Sequence, residues 1–69
     1  MILFSQRLQQ LRKEENLRQS DLAEKLNTTQ RRISHLESGK IEPDLATLVA
    51  IAKLFNVSLD YLIGLSDYE

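Results

Sequence analysis

A short stretch in the middle of the chain carries side chains that are suited to hydrogen bonding with other molecules. On a helical wheel at about 100° per residue, Ile33 and Leu36 define the inward face of residues 30–37. The outward face then carries Arg31, Ser34, His35 and Ser38, with Gln30 at its flank, and Gln30, Arg31, Ser34 and His35 are the residues expected to contact bases. Glutamine can pair with adenine through two hydrogen bonds, and arginine can pair in the same way with guanine. Because this face has no apolar residue and no carboxylate, it favours contact with base edges in the major groove of DNA. The alternative is an ordinary solvated helix surface.

Helical elements must position that face, because hydrophobic residues recur at helical spacing along the whole chain. The spacing predicts helices over residues 3–15, 19–26, 30–37, 45–55 and 59–63. There is no alternating strand pattern, no internal repeat and no low-complexity segment. A chain of 69 residues has room for one domain. The sequence therefore predicts an all-α fold, with a single domain over residues 1–69 and a helix-turn-helix at residues 19–38.

Residues that typically end or begin helices stand at the predicted boundaries. Asparagine and glycine tolerate the left-handed backbone conformation that often follows a helix. The predicted stops are Asn16, Asn27, Gly39, Asn56 and Gly64. Short polar side chains cap the first turn of a helix. The predicted caps are Thr28-Thr29, Asp44 and Ser58. The helix over residues 45–55 is apolar on most of its circumference, which predicts that it is buried.

The charges are divided unevenly along the chain, although the net charge is only −1. Residues 5–40 contain eight basic and five acidic residues, whereas residues 41–69 contain one basic and five acidic residues. One half of the protein could therefore face phosphate while the other half is repelled by it, which would orient the protein on DNA. A random distribution of charge on a solvated surface is the alternative explanation.

The composition argues against several other kinds of site. The chain has no cysteine, which rules out disulfides and thiolate metal ligands, and with a single histidine, His35, we expect no metal site. It has no phosphate-binding glycine loop and no supported catalytic set, so we expect no enzyme activity, no cofactor and no small-molecule ligand. No stretch is long enough to cross a bilayer, and there is no targeting signal. We therefore expect a cytoplasmic protein without a membrane partner.

Two separated segments of the chain resemble one family of DNA-binding proteins. The first likeness is carried by residues 19–30 together with Ile33, Leu36, Glu37, Gly39 and Lys40. These residues resemble the helix-turn-helix of the phage Cro and repressor family, also called the Xre family, and residues 28–30 and 36–40 are especially similar to the lambdoid phage repressors. Residues 56–64 resemble the close of the same domain. The resemblance implies a compact five-helix fold of the lambda-repressor type, in which the second and third helices form the helix-turn-helix.

The resemblance also implies which residues face the bases. It matches Gln30, Arg31 and His35 to base-reading positions, and the helical wheel adds Ser34 to them. Arg31 and His35 replace glutamines that the lambdoid repressors carry there. Because arginine favours guanine, the operator sequence is not inherited from those repressors.

Contacts to the DNA backbone are expected on both sides of the base-reading helix. The residues expected to touch phosphates are Gln19, Arg12, Thr29, Arg32, Ser38 and Lys40. The resemblance also implies a partly buried ion pair between Arg12 and Glu37. A carboxylate near a helix C-terminus is disfavoured by the helix dipole, which is a second reason to expect a cationic partner for Glu37. The loop at residues 40–43 is acidic at Glu42, so we predict no minor-groove contact from it.

Together these features predict a sequence-specific, DNA-binding transcriptional regulator of the repressor type, which reads the major groove with residues 30–37. Its partner would be a palindromic, double-stranded operator bound by a homodimer. The predicted dimer surface includes Tyr61, Leu62, Leu65 and Tyr68. The alternative is a protein-interaction module, such as an antitoxin or a partner that sequesters another regulator, which would use the acidic and apolar C-terminal half.

Overall fold

Five helices make up the part of the chain that the structure describes. The computed structural model describes the backbone of residues 2–69 and the side chains of residues 3–69, so Met1, with which the predicted domain begins, lies outside the described residues. The helices are α1 (Ile2–Glu14), α2 (Gln19–Lys25), α3 (Gln30–Ser38), α4 (Leu45–Phe55) and α5 (Leu59–Ile63). The predicted all-α, five-helix fold is confirmed, with every boundary within one residue of its predicted position. None of the described helices is long and apolar enough to span a membrane.

Side-chain caps start three of the helices at the predicted positions. The hydroxyl of Thr29 accepts a hydrogen bond from the backbone N–H of Arg32 at 3.1 Å and begins α3. The Asp44 carboxylate accepts from the N–H of Thr47 at 2.8 Å and begins α4. Ser58 begins α5 in the same way. Each cap satisfies a backbone N–H that has no partner within its own helix, and this typically stabilises a helix by about 1 kcal/mol.

Left-handed residues end the helices, as the sequence predicts. Asn16, Asn27 and Asn56 have φ angles of 57°, 56° and 55°. Gly64 has a φ of 91°, and a Cβ atom at this residue would lie 2.7 Å from Cδ1 of Leu3. Gly64 is therefore favoured chiefly by its backbone conformation, and a Cβ at this residue would also push the partly exposed Leu3 side chain aside.

Every helix contributes to a single core. The fully buried side chains are Phe4, Leu8, Leu22, Ile33, Leu36, Ile51 and Leu62. Ala23 is buried beside them on α2, where its small side chain lets α2 approach α3 closely. The core thus forms around α3, which packs against both α1 and α2.

The prediction that α4 is buried is wrong. Ile51 is the one fully buried side chain of this helix, whereas Leu45 is 69% exposed and Leu54 is 37% exposed. The helix packs mainly against α5, so its opposite side faces solvent. A small domain has too few elements to surround a fourth helix, and an apolar circumference is consequently no proof of burial here.

Candidate nucleic-acid interface

A tight turn holds α2 and α3 at a fixed angle. Asn27 adopts the left-handed conformation directly after α2, and the N–H of Thr28 donates to the carbonyl of Ala23 at 2.9 Å. Thr29 then caps α3 within two residues. The short turn and its hydrogen bonds therefore set the position of α3 relative to α2.

The outward side of α3 carries the four side chains that the sequence predicts to face bases. Ile33 and Leu36 are completely buried, which fixes the orientation of the helix. On the other side, Gln30 and Arg31 are exposed, and Ser34 and His35 are half-buried one turn later. Their spacing puts them on one continuous face. Their contact with bases stays a prediction.

Arg31 differs from the other arginines in having no partner within the described residues. The four others lie within ion-pair distance of a carboxylate, in the pairs Arg7–Asp67 at 3.4 Å, Arg12–Glu37 at 2.6 Å, Arg18–Asp21 at 3.2 Å and Arg32–Asp44 at 3.9 Å. The guanidinium of Arg31 makes no ion pair or hydrogen bond within residues 3–69. Its five N–H groups therefore remain available to a molecule outside the chain.

Several of the predicted phosphate contacts flank α3. Thr29 lies at its beginning, and Ser38 and Lys40 are exposed at its end. The hydroxyl of Ser38 donates to the carbonyl of His35 at 3.2 Å. A hydroxyl thus stands at the beginning of α3, and a hydroxyl and a basic group stand at its end, although their contact with phosphate stays a prediction.

Arg32 turns toward α4 and joins it to α3. Its guanidinium donates to the hydroxyl of Thr47 at 3.1 Å and lies 3.9 Å from the carboxylate of Asp44. Hydrogen bonds from Thr47, helped by the charge of Arg32, hold the pKa of Asp44 below its ordinary value. No local pattern in the sequence indicates this bridge, because Arg32 and Thr47 lie 15 positions apart.

The ion pair expected between Arg12 and Glu37 is present and buried. The Nε of Arg12 donates to Glu37 Oε2 at 2.6 Å, and a terminal nitrogen donates to Oε1 at 3.0 Å. The other terminal nitrogen donates to the carbonyl of Leu17 at 2.7 Å. The Arg12 side chain is only 10% exposed. The structure therefore assigns Arg12 to the ion pair and not to the DNA surface, which corrects the predicted phosphate contact.

Gln19 joins this buried pair, an interaction that no pattern in the sequence indicates. Its amide nitrogen donates to Oε1 of Glu37 at 3.1 Å. Gln19 is the first residue of α2, whereas Arg12 and Glu37 belong to α1 and α3. One carboxylate therefore connects α1 to both helices of the helix-turn-helix.

The predicted dimer surface needs correction at two of its four residues. Leu62 is completely buried and Tyr61 is 7% exposed, because both point from α5 into the core. Leu65 and Tyr68 are exposed, as predicted, and Leu59 is partly exposed next to them in sequence.

Arg7 secures the segment that follows α5. Its guanidinium lies over the ring of Tyr61, 4.2 Å from the ring centroid, and donates to the backbone carbonyl of that residue. It also donates to the carbonyl of Ser66 at 2.7 Å and to the carboxylate of Asp67 at 3.4 Å. The exposed apolar side chains Leu65 and Tyr68 therefore stand on a segment that is tied to α1.

Comparison with known proteins identifies the family. A family profile described as helix-turn-helix matches residues 8–62. The uncharacterized regulator YobD of Bacillus subtilis is 40% identical over 94% of this chain and 58% of its own length. The transcriptional activator BcrR of Enterococcus faecalis is 45% identical over 88% of this chain, but over 30% of its own length. This chain thus spans little more than half of YobD and less than a third of BcrR.

The fold has a counterpart among solved structures. The P22 c2 repressor, crystallised with a synthetic operator in the presence of Tl⁺, superposes with a TM-score of 0.82 at 31% identity. The match covers 90% of this chain and 94% of that one. The predicted resemblance is confirmed, and this chain belongs to the helix-turn-helix family of the Cro and repressor type.

Proposed function

We propose that this chain is a sequence-specific DNA-binding domain that represses transcription by occupying an operator. One observation carries the proposal. The outward face of α3 holds exposed Gln30 and Arg31, has no carboxylate, and includes the one arginine without a partner among the described residues. The likeness to the P22 c2 repressor, which was crystallised with an operator, supports it.

In the proposed complex α3 lies in the major groove, which is about 12 Å wide and accepts an α-helix. Arg31 contacts a guanine with two hydrogen bonds, and Gln30 contacts an adenine in the same way. Ser34 and His35, one turn further along α3, reach the following base pairs. These contacts discriminate between sequences, because each base pair presents its own pattern of donors and acceptors in this groove.

Contacts to phosphates supply affinity and orientation. Gln19 and Thr29 reach the backbone on one side of the groove, and Ser38 and Lys40 reach it on the other. Arg32 adds positive charge near the start of α3, although it also bridges to α4. The acidic half, residues 41–69, is repelled by the DNA and faces away from it.

We further propose that the operator is palindromic and is bound by a homodimer. The exposed apolar residues Leu59, Leu65 and Tyr68 support this, because they follow one another within ten residues along α5 and the segment after it. A two-fold dimer through this group would hold two copies of α3 about 34 Å apart, one turn of DNA. Acting on DNA in this way, the protein would work in the cytoplasm by binding and not by catalysis.

Selection from a pool of randomised DNA duplexes tests the proposal. The wild type should enrich a palindrome with half-sites about ten base pairs apart. Arg31→Ala should relax the preference for guanine at one position in each half-site, with a loss of about 1–3 kcal/mol in binding free energy. Lys53→Ala, which removes a basic residue from α4 in the acidic half, is the matched control and should select the same sequence.

Failure to enrich any sequence would overturn the proposal. In that case the protein-interaction function becomes the better explanation. Substitutions at Leu65 or Tyr68 should then abolish binding to the protein partner, while Arg31→Ala should preserve it.

A further inference from the structure

The buried carboxylate of Glu37 accepts more hydrogen bonds than its ion pair needs. Arg12 already satisfies both of its oxygens, at 2.6 Å on Oε2 and 3.0 Å on Oε1. The amide nitrogen of Gln19 adds a third hydrogen bond to Oε1 at 3.1 Å. Because Arg12 balances the charge, the third bond is not required to neutralise Glu37. It does constrain Gln19.

The constraint fixes which way the Gln19 amide faces. A carboxylate can only accept hydrogen bonds, so it holds the NH₂ group of the amide and turns the amide oxygen away. The NH₂ group has a second hydrogen, which Glu37 does not use. Glu37 is itself held in place, because its side chain is 3% exposed and accepts hydrogen bonds from two nitrogens of Arg12. The orientation of a half-buried glutamine is thus set by a rigid, buried group.

We propose that Glu37 is a positioning residue for DNA binding that acts through Gln19. The carboxylate orients the amide before DNA arrives, so that its second N–H is ready to donate to a phosphate oxygen. Arg12 contributes indirectly, because its hydrogen bonds fix the position of the Glu37 carboxylate. This inference rests on the proposed function, since it concerns how the Gln19 amide is oriented for one of the proposed phosphate contacts.

Ordering a side chain in advance removes part of the entropy cost of binding. Immobilising a flexible side chain at an interface typically lowers affinity by roughly two- to tenfold. The structure places this ordering in the free protein, where the bond between Gln19 and Glu37 already exists. The expected gain in affinity therefore lies in the same two- to tenfold range for each bound copy.

A double-mutant cycle separates this role from a purely structural one. In Glu37→Gln, the amide oxygen would stay opposite the Nε of Arg12, where the shortest bond is made. Its NH₂ group would then face the NH₂ group of Gln19, and two donors cannot bond to each other. The Gln19 amide would turn over or move away, and its prepared orientation would be lost.

The readout is affinity for a mixed-sequence DNA duplex of about 20 base pairs at about 50 mM salt. Gln19→Ala should weaken binding by roughly ten- to hundredfold, the effect of one hydrogen bond to a charged group. Glu37→Gln should weaken binding two- to tenfold when Gln19 is present and should have no further effect on Gln19→Ala. Equal losses in both backgrounds, or no loss in either, would overturn the proposal.

A matched control comes from a second glutamine–glutamate pair on α1. Gln10 donates to Glu14 at 3.2 Å, but this pair is exposed and lies entirely within α1. Gln10→Ala and Glu14→Gln should leave DNA affinity unchanged. If the wild type itself fails to bind the duplex, the proposed function fails, whereas binding with an additive cycle refutes only the role of Glu37.

A measurement on the wild-type protein covers the case in which Glu37→Gln does not fold. In the nuclear magnetic resonance spectrum, one side-chain amide proton of Gln19 should be displaced downfield in the free protein, because it bonds to a carboxylate. Titration with the same duplex should move the other proton and leave the first nearly unchanged. If both protons shift together, or if neither is displaced in the free protein, Glu37 does not position the amide.

Discussion

Glu37→Ala would remove the carboxylate that neutralises the buried guanidinium of Arg12. The substitution deletes two of the three hydrogen bonds of Arg12 and leaves only the bond to the carbonyl of Leu17. Because the Arg12 side chain is 10% exposed, water cannot readily replace the lost partner. Breaking a buried pair by removing one partner costs about 3–5 kcal/mol.

That cost is large compared with the stability of the whole domain. At about 0.05–0.15 kcal/mol per residue, a chain of this length has a free energy of unfolding of roughly 3–10 kcal/mol. Glu37→Ala should therefore lower the midpoint of urea unfolding, measured by circular dichroism. If the wild-type stability lies at the lower end of this range, the midpoint should fall close to zero urea. Arg18→Ala is the control, because the Arg18 side chain is 83% exposed and its ion pair with Asp21 should contribute little.

The double substitution Arg12→Met with Glu37→Leu tests the cause of the loss. It removes both charges and fills the space with apolar groups, so the stability should return close to that of the wild type. A loss below about 1 kcal/mol in Glu37→Ala would refute the argument, since that is the range of an exposed pair. A double variant as unstable as the single one would refute it as well, because packing and not an unpaired charge would then explain the loss.

Three further predictions concern other parts of the domain. Gly64→Ala should lower the unfolding free energy by about 1–3 kcal/mol in urea titrations, because φ at this residue is 91° and the new Cβ would lie 2.7 Å from Leu3. The pKa of Asp44 is lowered from 3.8 in the folded state, so its stabilisation is present above that pH and is lost as the pH falls through the lower folded value. Asp44→Asn keeps a capping side chain and should flatten this acid-induced loss in the urea midpoint. Lys40→Ala should reduce the slope of log affinity against log salt by about 1, and an unchanged slope would exclude a phosphate contact at this residue.

The helix boundaries could be predicted from the sequence because they depend on local chemistry. Thr29, Asp44 and Ser58 cap backbone groups only three residues away. Asn27 and Gly39 end their helices through their own backbone preferences. The outward face of α3 could likewise be predicted from the sequence, because Ile33 and Leu36 alone fix the orientation of the helix.

Features that depend on distant neighbours were not predictable in the same way. The apolar circumference of α4 indicates burial, but the exposure of Leu45 depends on how many elements are left to cover it. Tyr61 and Leu62 are apolar residues near the end of the chain, and only their packing under α1 shows that they belong to the core. The bond between Gln19 and Glu37 joins residues 18 positions apart on two helices, which no short pattern reveals.

The contacts of Arg7 also have a consequence for the order of folding. They join residues 54, 59 and 60 positions apart, so they close almost the whole chain into a loop. The turn between α2 and α3 needs only contacts over a few residues, which form at a much smaller entropic cost. We therefore expect the helix-turn-helix to be organised in the folding transition state and the two chain ends to join afterwards. In stopped-flow kinetics, Arg7→Ala should then speed unfolding while leaving the folding rate nearly unchanged.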